Sequence, residues 1–123
     1  MRNKVIIPTF LFGMVLIFFL FILLQGKNKN QDGNQIILFY GQGCPHCAVV
    51  EKYIEENKIQ DKISFTQKEV YYNQSNAKEL EKMAKVCGLA SGVVGVPFLW
   101  DGEKCYLGDR EIIEFFKEKI GGN

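Results

Sequence analysis

From Val5 to Leu24 the chain carries no charged residue, and only Pro8, Thr9 and Gly13 interrupt an otherwise apolar series. Twenty residues rising about 1.5 Å each make a helix about 30 Å long, which matches the hydrocarbon thickness of a bilayer. A buried core helix would show a polar face. If apolar all round, it would need a larger protein around it than the roughly 90 residues that remain. Residues 1–24 are therefore predicted to form one transmembrane helix. Arg2 and Lys4 suit a signal peptide as well as an anchor, but no small-x-small cleavage pattern surrounds Leu23-Leu24-Gln25-Gly26, and no cysteine follows to accept a lipid. These features favour an uncleaved anchor. Arg2, Lys4 and the terminal amine, set against Lys27 and Lys29, favour a cytoplasmic N-terminus.

Residues 25–34 contain no apolar side chain to bury and read as a flexible linker. Residues 35–123 are expected to form one small domain acting as a monomer. The chain's net charge of +1 offers no surface for nucleic acid. Ile36 to Tyr40 reads as a buried strand, and Ala48 to Asn57 as a helix whose Val49, Val50, Tyr53 and Ile54 recur at helical spacing. Ile63 to Tyr71 begins with alternation and reads as a second strand. A helix from Asn76 to Val86 follows, capped by Asn76 with Glu79 and closed by Gly88. Val96 to Trp100 and Lys104 to Leu107 flank an Asp101-Gly102 turn and read as a hairpin. Asp109 is placed to cap a last helix, Arg110 to Ile120, with Ile112, Ile113, Phe115 and Phe116 inward. This order predicts an α/β domain with a mixed four-stranded sheet flanked by three helices.

Cys44-Pro45-His46-Cys47 lies between the first strand and the first helix of that domain. A helix start leaves N–H groups unpartnered and carries partial positive charge, so Cys44 is expected to ionise readily and act as the nucleophile. Pro45 suits the first helical position, His46 can lend charge or a hydrogen bond to the same sulfur, and Cys47 becomes the resolving thiol. A zinc site would need four ligands, but Cys87 and Cys105 form no second close pair and His46 sits between the first two cysteines, so no metal is expected. Cys87 and Cys105 themselves fit two buried small hydrophobes, a structural disulfide or a second redox pair.

The element order, with Cys44-Pro45-His46-Cys47 after the first strand and Gly95-Val96-Pro97 opening the hairpin, resembles the thioredoxin fold and its glutaredoxin-like branch. The resemblance covers nearly all of residues 35–121. It implies a cis bond before Pro97, with Val96 and Pro97 beside the cysteines as substrate-binding residues. Gly108-Asp109 resembles part of the glutaredoxin motif for glutathione, which would make glutathione a co-substrate. The glycine pair and second acid of that motif are reduced here to Leu107-Gly108-Asp109-Arg110. The central Pro45-His46 looks like that of periplasmic disulfide oxidants, whose large helical insertion is absent here.

The expected function is that of a membrane-anchored thiol-disulfide oxidoreductase. It would exchange disulfides with protein thiols outside the cytoplasm, need no cofactor, and be recharged by a membrane redox partner. Two alternatives stand beside it: a glutaredoxin-like reductase fed by glutathione or a membrane thiol donor, and a non-catalytic anchored binding module. Trp100 and Tyr40 are aromatic residues placed to line a peptide groove, or to serve the core.

Overall fold

The computed structural model of the protein describes residues 6–24 and 35–121, with side chains in the first helix described for residues 12–21. The expected linker, residues 25–34, lies outside them. Helix α1, Ile6–Leu24, falls in one compact unit and residues 35–121 in another. Among the described residues no helix is long and apolar enough to cross a membrane. The described side chains of α1 make up only part of the span expected over residues 1–24.

The second unit is a mixed α/β domain. Its sheet has the order β2-β1-β3-β4, built from β1 (Ile37–Tyr40), β2 (Thr66–Glu69), β3 (Phe98–Trp100) and β4 (Cys105–Leu107). β1 pairs in parallel with β2 and antiparallel with β3, which is antiparallel to β4. Side chains alternate along a strand, so the continuous apolar run of β1 serves both faces of the sheet. Leu38 and Leu99 pack with Val50 and Ile54 of α2 (Pro45–Glu56), Ile59 of α3 (Ile59–Lys62), and Ile112, Phe115 and Phe116 of α5 (Gly108–Gly121). Ile37, Phe39 and Phe98 pack on the opposite face against Leu80 and Ala84 of α4 (Gln74–Val86).

Several local expectations are corrected. The domain has a fourth, short helix, α3, because fully buried Ile59 draws the segment after α2 into the core. Val49 is exposed, leaving Cys47, Val50 and Ile54 as the buried stripe of α2. Asn73 rather than Asn76 caps α4: its side-chain oxygen accepts the Asn76 N–H at 3.1 Å. Glu79, expected in a capping pair, instead holds Lys68 of β2 across the domain at 2.6 Å. Asp109 lies inside the first turn of α5, and Glu111 is the acid that reaches back, to the Leu107 N–H. The hairpin turn is shifted by one residue. Asp101 and Lys104 bond across Gly102-Glu103, while Oδ1 of Asp101 accepts both the Glu103 and Lys104 N–H groups. Gly102, at φ +100°, supplies the left-handed backbone that this turn requires.

Candidate active site

β1 ends at Tyr40, and the chain turns through Gly41-Gln42-Gly43 before α2 begins. Gly43 takes φ +82°, and the Cys44 N–H closes the turn on the Gly41 carbonyl at 3.1 Å. Cys44 is then the N-cap of α2, in extended backbone, and its sulfur accepts the Cys47 N–H at 3.2 Å. A sulfur thus occupies the capping position that an oxygen of Ser, Thr or Asp usually fills, where an anionic acceptor is favoured by the helix dipole. Pro45 is the first helical residue, where no N–H is needed.

Both thiols are free, and Cys44 is 8% exposed against 2% for Cys47, so an incoming group meets Cys44 first. The Cys47 thiol donates to the Cys44 sulfur at 2.6 Å. Burial, reinforced by that hydrogen bond, pushes the Cys47 thiol up to about 12. At neutral pH Cys47 therefore keeps its proton, and Cys44 is the sulfur that receives donors. The pair is close enough to interconvert between dithiol and disulfide with little backbone movement.

The other expected site residues lie on a continuous path of contacts from Cys44. Its thiol donates to the Val96 carbonyl at 3.6 Å. The Val96–Pro97 peptide bond is cis, and the Pro97 carbonyl accepts the Gly108 N–H at 3.0 Å. Gly108, at φ +78°, turns the end of β4 into α5, and the next residue, Asp109, meets Nδ1 of His46 at 3.1 Å. The hydrogen bond from His46 holds the Asp109 carboxyl below its ordinary value. Cys44, Pro45, His46, Cys47, Val96, Pro97, Gly108 and Asp109 therefore form one cluster, drawn from a helix start, a strand start and a second helix start.

Three expected residues lie elsewhere. Trp100 pairs with Ile37 at the start of β1, whereas Cys44 follows Tyr40 at its end, so Trp100 lines no groove beside the thiols. Cys87, the C-cap of α4, and Cys105, the first residue of β4, are joined by a disulfide, so they are not two separately buried thiols. Tyr40 does reach the site. With Gly41, Cys44, Pro45 and Glu69 it lines a cavity of about 460 Å³.

Glu69 went unnoticed in the sequence. It ends β2, and desolvation works to raise its carboxyl, but the N–H groups of Tyr72, Tyr71 and Gln42 together hold it below its ordinary value. A lone acid at the end of an alternating strand carries no sequence signal for such a role. Among the described residues no three His, Cys, Asp or Glu side chains gather to hold a metal ion. No known protein family matches the chain, and no curated protein matches its sequence.

Proposed function

We propose that residues 35–123 are a thioredoxin-like, glutaredoxin-sized thiol-disulfide oxidoreductase, anchored by residues 1–24 and acting on protein clients on the extracytoplasmic side. The observation that carries this reading is the Cys44 sulfur at the cap of α2, 2.6 Å from a second thiol that keeps its proton. The sheet order and the proximity of Val96 and Pro97 to Cys44 support it. The anchor is supported by the uncharged run from Val5 to Leu24 and by the exposure of the large apolar side chains from Phe12 to Phe21.

In the oxidising direction a client thiolate attacks Sγ of disulfide-bonded Cys44, the Cys44–Cys47 bond breaks, and Cys47 leaves and takes a proton. A mixed disulfide now joins client and Cys44. The client's second thiolate attacks its own bonded sulfur and releases Cys44 as thiolate, so two electrons pass from client to protein. Of the two client thiol protons, one ends on Cys47 and the other in solvent. Greater exposure directs the first attack to Cys44, and the buried Cys47 retains its proton afterwards. Val96 and Pro97 hold the extended client chain beside Cys44. A membrane redox partner then removes the two electrons and restores the disulfide.

The test is disulfide transfer from the oxidised full chain, in detergent, to a peptide carrying two cysteines. One peptide disulfide should appear for each Cys44–Cys47 disulfide consumed, with no transfer by Cys44→Ser. A wild-type protein that transfers none refutes the reading.

A further inference from the structure

Glu69 turns its carboxylate back over the end of β2. One oxygen accepts the Tyr71 N–H at 2.7 Å and the Gln42 N–H at 3.3 Å, and the other accepts the Tyr72 N–H at 2.9 Å. One side chain thereby ties the turn before α4 to the loop that delivers Cys44. The tie sets the Tyr71 ring against Gly41, so closely that a Cβ on Gly41 would collide with the hydroxyl end of the ring. Gly41 in turn bonds both cysteines: its carbonyl accepts the backbone N–H of Cys44, and its backbone bonds the Cys47 side chain. Although held in this way, Tyr71 is 56% exposed, so it serves no core. It lines a cavity with Val70, Gly95 and Val96, the residue whose carbonyl accepts the Cys44 thiol.

We propose that Tyr71 is a positioning residue of the redox pair, its hydroxyl donating a hydrogen bond to the Cys44 sulfur across the absent side chain of Gly41. The inference rests on the exchange reaction proposed above. Desolvation, and then the neighbouring Cys44 and Cys47, push the Tyr71 phenol above its ordinary value, so it remains a donor at neutral pH. A donor to the anionic sulfur favours the reduced pair and makes the disulfide a better oxidant. Gly41 is required because a methyl group there would displace the ring.

The test measures the equilibrium constant between the Cys44–Cys47 pair of the full chain and glutathione at pH 7, for wild type, Tyr71→Phe, Tyr71→Leu and Gly41→Ala. Phe keeps the ring on Gly41 and removes only the hydroxyl. Tyr71→Phe is expected to lower the constant for reducing the pair about fivefold, the worth of one net hydrogen bond, or about 20 mV. Gly41→Ala should lower it similarly, and adding it to Tyr71→Phe should lower it no further. A Tyr71→Phe constant equal to wild type overturns the proposal. If Tyr71→Leu alone lowers it, the ring acts by packing. A wild-type pair that never equilibrates with glutathione defeats the exchange reading itself, an outcome distinct from a working pair indifferent to Tyr71.

Discussion

The chain contains two cysteine pairs of identical chemistry and opposite placement. Cys44 and Cys47 are free thiols at the start of α2, among a capping N–H, the Val96 carbonyl and, through Asp109 and Pro97, the opening turn of α5. Cys87 and Cys105, 18 residues apart, are bonded to each other, with Cys105 packed against the apolar cluster under α4. A helix start supplies donors and positive potential that stabilise an anionic sulfur. The junction of a helix end with a strand supplies neither, and we assign the disulfide there the part of a staple. On the function proposed above, surroundings, not residue type, separate a reactive pair from a structural one.

The largest expected effects break this comparison outright. Cys44→Ser and Cys47→Ser should each abolish transfer to a dithiol peptide, and Cys47→Ser should instead form a mixed disulfide when its Cys44 thiolate attacks the disulfide form of that peptide, while the double variant Cys87→Ala/Cys105→Ala should keep full transfer, as read by non-reducing electrophoresis. Loss of transfer in a folded Cys87→Ala/Cys105→Ala protein would erase the distinction. Next in size, that double variant should lose about 3 kcal/mol in urea unfolding, because the native bond closes a loop of this length in the unfolded chain.

A third prediction concerns pH. Folding raises the Cys47 thiol, so the folded reduced state holds a proton that the unfolded chain releases first. The stability this contributes is fully present below about pH 9 and is lost as pH rises through about 12. The oxidised protein has no Cys47 thiol to titrate. The difference in stability between reduced and oxidised protein should therefore narrow over that window, and a constant difference would contradict the assignment. The smallest effect concerns Asp109. Its carboxyl, depressed by His46, should return toward its ordinary value in His46→Ala when followed by carbon NMR. In the wild type the pairing is present above the ordinary carboxylate range and is lost as pH falls through the depressed value.

The parts of the site that were legible were those encoded locally. Cys44, Pro45 and Cys47 declare a helix start by their order alone, and the buried strand Ile37–Tyr40 is a continuous apolar run. The flanking helices α4 and α5 were legible from their apolar stripes. What stayed hidden depends on residues distant in sequence. The pairing of His46 with Asp109 spans 63 positions, and the Gln42 bond to Glu69 spans 27. The alternation that begins at Ile63 predicts one strand to Tyr71, whereas β2 spans only Thr66–Glu69. Its end is fixed instead by Glu69 folding back onto the Tyr71 and Tyr72 N–H groups. Ile63 and Phe65 pack against the core from outside the ladder. Asn73 and Asn76 are equally good caps by composition, and only the three-dimensional path of the turn selects Asn73.

The most direct single measurement is the reduction potential of the Cys44–Cys47 pair in the full chain, by glutathione redox buffers with thiol trapping. A disulfide donor should give about −120 to −180 mV. A value of about −230 to −270 mV would make the protein a reductase and contradict the oxidising role proposed for it.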